Sequence, residues 1–147
     1  MSQYLTFKLV NKTNPEICVD LGYWCTSIAR AISYNFEGIF RYTEDDVKLD
    51  VNTLKDYIEI LRKGIDEYKS NLRKEQDKKR ENIDLLLKAQ TQVVVDAIKQ
   101  SIQYNDEAIE DWADEIETWV LVKDKLDFIL DILEENIDDW ELTYRNE

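Results

Sequence analysis

Carboxylates are the side chains through which this chain could do chemistry, because it contains 32 Asp and Glu residues and no histidine. The missing histidine excludes imidazole zinc sites, Ser-His-Asp triads and Cys-His nucleophile pairs. Closely spaced carboxylates can hold a divalent cation, and a helix coated with them can bind a basic surface. The sequence therefore suggests either a metal site or an electrostatic contact surface.

Two carboxylate pairs have a spacing that suits a metal site, Glu107-x-x-Glu110 and Glu135-x-x-Asp138. They resemble the paired motif of all-α nucleotide pyrophosphatases, in which two antiparallel helices face each other around magnesium. The resemblance covers four positions and implies metal-dependent nucleotide hydrolysis. No Gly or Pro lies between the pairs, so one helix is expected to hold them about 40 Å apart. We therefore rank this function last and expect no enzyme, no catalytic residue, no metal ligand and no cofactor.

The charge of the chain is concentrated at its C-terminal end. Residues 1–103 contain 16 acidic and 16 basic residues, whereas residues 104–147 contain 16 acidic residues against Lys123, Lys125 and Arg145. The whole net charge of −13 therefore belongs to the last 44 residues. This balance argues against direct binding of nucleic acid or of an anionic membrane.

The acidic residues are also placed in a regular pattern. When Ile109 is position a of a heptad, none of the 15 acidic residues from Asp106 to Glu141 falls at a or d. They form a first cluster of Asp106, Glu107, Glu110, Asp111, Asp114, Glu115 and Glu117, and a second of Asp131, Glu134, Glu135, Asp138, Asp139 and Glu141. A helix of about 36 residues is about 54 Å long, so the net charge amounts to roughly one negative charge per 4 Å. This is close to the spacing of charges along one DNA strand.

The pattern favours a non-enzymatic binding module or inhibitor whose acidic C-terminal helix docks on a basic partner. The expected partner is a nucleic-acid-binding protein, such as a nuclease complex, whose binding surface the helix occupies as a mimic of the phosphate backbone. In size and charge the chain resembles the small acidic anti-CRISPR and anti-restriction proteins of phages. The expected partner-binding residues are Glu107, Glu110, Asp111, Asp114, Glu115, Glu134, Glu135, Asp138 and Asp139.

A structural role is the main alternative, because acidic residues also serve to keep helices soluble. In that case the chain is a homo-oligomeric coiled-coil scaffold, such as a homodimer, which associates through the apolar seams of residues 54–72 and 109–137. Three of the four Trp residues, Trp112, Trp119 and Trp140, occupy d positions of the predicted acidic helix. Apolar heptad positions are usually buried, so we expect core packing of these rings.

The predicted fold is α+β and predominantly helical, with a small antiparallel sheet from near both termini and a long helical hairpin or bundle. Residues 1–147 are expected to form a single domain, with the sheet and a short helix in 1–51, the helical bundle in 52–138 and a returning strand in 139–145. Alternating apolar residues predict strands at 4–10 and from Trp140 onward. Short strands are also predicted at 38–42 and 47–51.

The remaining elements are predicted to be helical. A helix over 16–35, begun by Asn14 and Pro15 or else starting after Gly22, is expected to cover one face of the sheet. Asn52 or Thr53 is expected to begin the next helix, and residues 73–80 either continue it or form a turn. Asn105 or Asp106 is expected to begin the last helix. A second stripe there, Leu121, Phe128 and Ile132, predicts a helix sandwiched between neighbours.

The compartment is expected to be cytoplasmic. The first eight residues lack the charged and apolar regions of a secretory signal, and no run approaches 18 apolar residues. Cys18 and Cys25, seven residues apart on the predicted helix, are too distant for a disulfide. We expect both to be reduced thiols.

Overall fold

The computed structural model describes residues 4–25 and 43–147 of the chain. They belong to two compact units, Met1–Leu61 with Leu121–Glu147, here called the sheet unit, and Arg62–Val120, here called the hairpin unit. That the chain unfolds as one cooperative domain stays a prediction.

The sheet unit contains four antiparallel strands in the order β2-β1-β4-β3. They are β1 (Tyr4–Asn11), β2 (Cys18–Cys25), β3 (Val47–Leu49) and β4 (Trp140–Asn146). β1 and β4 are paired from Leu5↔Asn146 to Asn11↔Trp140, so strands from both ends of the chain lie side by side. The prediction of an α+β, predominantly helical fold with a small sheet from both termini is confirmed.

The core of the sheet unit follows from the alternation in β1 and β4. One face of the sheet buries Leu5, Phe7 and Leu9 together with their β4 neighbours Leu142 and Tyr144. Because successive strand residues point to opposite faces, this alternation buries one side of each strand. The helical residues of the unit complete its core with Leu54, Leu61, Val122, Leu126, Ile129 and Leu133.

The helix predicted over 16–35 is wrong for residues 18–25, which form β2. The register shifts between Phe7↔Gly22 and Lys8↔Asp20, so Leu21 is an extra residue in a β-bulge. Such a bulge interrupts the alternation of apolar and polar residues that marks a strand. The apolar residues of this segment then recur at spacings that are typical of a helix. Cys18 and Cys25 therefore lie on a strand. Residues 26–35 and the strand predicted at 38–42 lie outside the described residues.

The segment before β2 is a turn and does not begin a helix. The Ile17 backbone N–H donates to the Asn14 carbonyl at 3.0 Å, and the Asn11 N–H donates to the Ile17 carbonyl at 3.0 Å. Asn14 and Pro15 thus lie in a turn between two paired strands, where both residue types are common.

The first described helix, α1, covers Val51–Lys88. Its cap is Asp50, whose Oδ1 accepts a 2.8 Å hydrogen bond from the Thr53 N–H, so the predicted caps Asn52 and Thr53 are wrong. The strand predicted at 47–51 ends at Leu49 because the helix begins at Val51. The polar interval 73–80 continues the helix, since it contains only helix-tolerant residues.

The second helix, α2, covers Gln92–Glu135, so the predicted start at Asn105 or Asp106 is wrong. Thr91 begins it instead, since its Oγ1 accepts from the Val94 N–H at 3.4 Å. The predicted sandwich of the second stripe is also wrong, because Leu121 and Phe128 are 52% and 65% exposed. Among the described residues, no helix is both long enough and apolar enough to cross a membrane.

Candidate protein-binding surface on the second helix

The two arms of the hairpin unit, residues 62–88 of α1 and 92–120 of α2, pack antiparallel. The Tyr68 ring lies 5.3 Å from the Trp112 ring and 5.5 Å, edge-on, from the Trp119 ring. Further along, Lys79 forms an ion pair with Asp106, and the Asn82 amide donates to the Asn105 side chain. These contacts fix which side of α2 is turned toward α1.

The first acidic cluster lies mainly on the opposite side of α2. All seven of its members are exposed, and five of them follow one another at spacings of one or three residues, which places these five on one helix face. We call this set the acidic face: Glu107, Glu110, Asp111, Asp114 and Glu117. It is about 15 Å long at the rise of an α-helix and carries five carboxylates.

The basic residues of the hairpin unit do not neutralise the acidic face. Lys79 pairs with Asp106, and Lys78 and Arg80 pair within α1 with Glu75 and Asp77. In residues 4–25 and 43–147, no Lys or Arg nitrogen lies within 4.0 Å of a carboxylate of the acidic face. Among the described residues, the only hydrogen bond to a carboxylate of this face is donated by the Gln103 amide to Glu107, at 3.4 Å.

Glu115, predicted as a partner-binding residue, is held within the chain. Its carboxylate accepts a 2.9 Å hydrogen bond from the buried Trp119 indole N–H. Burial of the Tyr68 side chain is the main cause that raises its pKa, and the nearby charges of Glu115 and Glu67 raise it further. The heptad position explains why Glu115 contacts its own chain while the acidic face does not. Glu115 falls at g, beside the seam, whereas the residues of the acidic face occupy b, c and f. The same criterion would have added Glu117 to the predicted set.

The second acidic cluster, in the sheet unit, is partly neutralised by the chain's own lysines. Lys55 forms a 3.3 Å ion pair with Glu134, and Lys48 forms a 3.2 Å pair with Glu141. Lys12 donates to the Ile137 carbonyl at 2.7 Å. The remaining predicted residues, Glu135, Asp138 and Asp139, are exposed, but α2 ends at Glu135 and the two aspartates lie in the following turn.

The four carboxylates that resemble the pyrophosphatase motif are not gathered into a cluster. Glu107 and Glu110 lie in the hairpin unit, and Glu135 and Asp138 lie in the sheet unit. In the part of the chain that the structure describes, no group of three or more Cys, Asp or Glu side chains is arranged to hold a metal ion.

The apolar seams proposed for self-association are used inside the chain. Leu54, Leu61 and Ile65 of α1 are at most 4% exposed, and so are Trp119, Leu126 and Leu133 of α2. Trp112 and Trp140 are partly buried. Self-association of the chain as a coiled-coil scaffold stays a prediction.

Comparison of the chain with protein-family models, with curated proteins and with solved structures finds no match. Function is therefore argued below from the contacts, exposure and charges of this chain's own residues.

Proposed function

We propose that this protein is a non-enzymatic binding module whose acidic face docks on a basic, nucleic-acid-binding surface of another protein. The face takes the place of a phosphate backbone and so keeps nucleic acid from that surface. The observation that carries the proposal is the run of five exposed carboxylates on one side of α2 with no cationic partner among the described residues.

The distribution of charge in the hairpin unit supports an intermolecular role for this face. Residues 62–88 contain nine basic and six acidic residues, whereas residues 92–120 contain Lys99 against eight acidic residues. The two arms are thus oppositely charged, yet only Asp106 of the α2 arm forms an ion pair with α1 among the described residues. Unpaired charges of one sign on a single face steer a partner of the opposite sign and orient it.

The energetic cost of the face also favours a functional use. Glu107 and Asp111, and Glu110 and Asp114, are like charges at i,i+4, and each such pair destabilises a helix by about 0.2–0.5 kcal/mol. A helix that needed only solubility would relieve this repulsion by mixing lysines with the acidic residues, as surface helices commonly do.

The test is capture of a partner by the full-length chain, followed by competition. A basic nucleic-acid-binding protein should be retained at low salt, released as salt rises through about 0.5 M, and displaced by duplex DNA. The quadruple variant Glu110→Gln, Asp111→Asn, Asp114→Asn and Glu117→Gln should lose this capture.

The matched control removes the same charge elsewhere. Four exposed acidic residues outside the acidic face serve for this, in the variant Glu44→Gln, Asp45→Asn, Asp56→Asn and Asp84→Asn. It should retain the partner, because its net charge equals that of the test variant while the acidic face is intact. If salt and DNA did not release the partner, or if both variants lost the partner equally, phosphate mimicry by this face would be ruled out.

A further inference from the structure

Four exposed cations lie on α1 within the hairpin unit. Lys69, Arg73 and Arg80 follow one another at spacings of four and seven residues, which places them on one helix face, and Lys74 lies beside Arg73. We call these four residues the basic face. It is about 16 Å long at the rise of an α-helix, close to the length of the acidic face on α2.

The ion pairs of the chain leave the basic face available. Among the described residues, no carboxylate oxygen lies within 4.0 Å of a Lys69, Arg73 or Lys74 side-chain nitrogen. Arg80 pairs with Asp77 at 3.5 Å, but both side chains are largely exposed, and such surface pairs contribute little. The contacts between the two arms use other residues of α1: Tyr68, Glu75, Lys79 and Asn82. The basic face can therefore bind an acidic surface outside its own chain.

The acidic face of a second copy matches the basic face in charge and in length. Residues 69–80 of α1 contain six basic and two acidic residues, whereas residues 106–117 of α2 contain seven acidic residues and no basic one. Both segments are 12 residues long. Within one chain they are already joined once, through the ion pair of Lys79 with Asp106. Charge complementarity of this kind orients two surfaces and disfavours partners of like charge.

Nucleic acid is the other polyanion that could reach the basic face, and it fits less well. Its charge is negative along its whole length, so a duplex lying on α1 extends beyond the basic face. There it meets the remainder of the hairpin unit, where residues 81–120 contain ten acidic and two basic residues. A second copy presents its acidic face over 12 residues only.

We propose that the basic face docks on the acidic face of a second copy of this chain, and that this contact regulates the acidic face by covering it while no partner is bound. The contact joins two different surfaces, so further copies can add at either end and the assembly grows without closing as a two-fold dimer. The inference rests on the proposed function in one respect, because both use an open acidic face.

The net charge of −13 sets the conditions under which the contact forms. At low ionic strength the whole molecules repel each other. At roughly 0.1 M salt the Debye length is about 10 Å, so charges far from the contact are screened, whereas facing carboxylates and cations still attract. At about 0.5 M salt this attraction is weakened as well. Association should therefore be strongest near 0.1 M salt.

Sedimentation of the full-length chain at about 10 µM to 1 mM tests the pairing. At about 0.1 M salt we expect the average mass to rise with concentration past that of a dimer, with a Kd on the order of 0.1 mM for each contact, because two short helix segments form a small interface. The basic-face variant Lys69→Gln/Arg73→Gln/Lys74→Gln should raise this Kd at least about tenfold.

The matched control removes three exposed cations of the hairpin unit outside the basic face, in the variant Lys63→Gln/Lys88→Gln/Lys99→Gln. It changes the net charge by the same amount and should leave the Kd unchanged. Circular dichroism should show the same helix content in all variants. Equal weakening in the basic-face variant and the control would show that net charge alone governs association, and would overturn the inference.

Mixing two variants tests which surfaces meet. The basic-face variant keeps its acidic face, and the quadruple variant Glu110→Gln, Asp111→Asn, Asp114→Asn and Glu117→Gln keeps its basic face. Each alone lacks one half of the contact and should associate weakly. Their equimolar mixture should recover the wild-type Kd as a one-to-one dimer that does not grow, because only one contact can form. A mixture that associates no better than its components would contradict the pairing of these two faces.

Partner capture separates this inference from the proposed function. The basic-face variant has an intact acidic face, so it should capture a basic partner at least as well as the wild type. A chain that stays monomeric to 1 mM at about 0.1 M salt overturns the inference and leaves the proposed function standing. Self-association without any partner capture would overturn the proposed function alone. Binding of duplex DNA by a monomeric chain, lost in the basic-face variant, would assign the basic face to nucleic acid instead.

Discussion

The Asn82 amide donates a 2.8 Å hydrogen bond to the Asn105 side-chain oxygen across the two arms of the hairpin. The Asn105 amide in turn donates to Glu75 at 3.2 Å, and Asn105 is only 8% exposed. On α2 this polar layer interrupts the apolar seam, because Asn105 lies between Ile102 and Ile109. A buried polar pair of this kind fixes register, because a shifted helix would leave its groups without partners.

The Asn pair is expected to be energetically coupled. Asn105→Ala should lower the free energy of unfolding by about 1–3 kcal/mol, because it removes the acceptor of the Asn82 amide and one hydrogen bond to Glu75. In a double-mutant cycle with Asn82→Ala, measured by urea unfolding, the coupling should be about 0.5–1.5 kcal/mol. Gln76→Ala, at an exposed position of the same helix, is the control. Strict additivity of the two Asn variants would contradict a shared layer.

Relieving the acidic face should stabilise the fold while weakening partner binding. Glu110→Lys converts repulsion from Glu107 and Asp114 into attraction, which should raise stability by about 0.5–1 kcal/mol at low salt. The gain should shrink as salt screens the charges, as followed by thermal melting in a salt series. Glu110→Gln should give roughly half the effect. A lower melting temperature for Glu110→Lys would show that Glu110 has a stabilising contact.

The cap at Asp50 predicts an acid-dependent stability. Hydrogen bonds from Thr53 lower the pKa of Asp50. A carboxyl with a lowered folded pKa stabilises the fold above its unfolded pKa, and this stabilisation is lost as pH falls through the folded value. Asp50→Ala should therefore melt a few degrees below wild type at pH 6, with the difference shrinking in strong acid. Asn52→Ala should have no such effect, and equal losses in both would reject Asp50 as the cap.

Tyr68 predicts a loss of stability in alkali. Its burial against Trp112 and Trp119, and then the Glu115 charge, raise its pKa above 10.0. A raised folded pKa gives stability that is complete below the unfolded pKa and is lost as pH rises through the folded value. Unfolding measured between about pH 9 and 12 should show a smaller decline for Tyr68→Phe than for wild type. Tyr104→Phe, at an exposed ring, should follow wild type, and a matching change there would contradict this assignment.

The sequence determined the strands at both ends and the two helical seams, because burial of one face imposes a period of two on a strand and of three to four on a helix. It also placed the acidic residues of α2 outside the seam, since none of them from Asp106 to Glu141 falls at a or d. The tertiary structure decided β2, where pairing with β1 and a bulge at Leu21 outweighed an apolar spacing that looked helical.

Which carboxylates remain unpaired was likewise decided by folding alone. Lys55 reaches Glu134 and Lys79 reaches Asp106 across gaps of 79 and 27 residues, whereas Glu110 and Asp114 have no cation beside them among the described residues. An ion pair forms only where the packed helices bring two opposite charges within 4 Å of each other. The spacing of residues along the chain does not reveal that distance. The sequence therefore fixed how much charge α2 carries, and the packing of its neighbours fixed where that charge is free to bind.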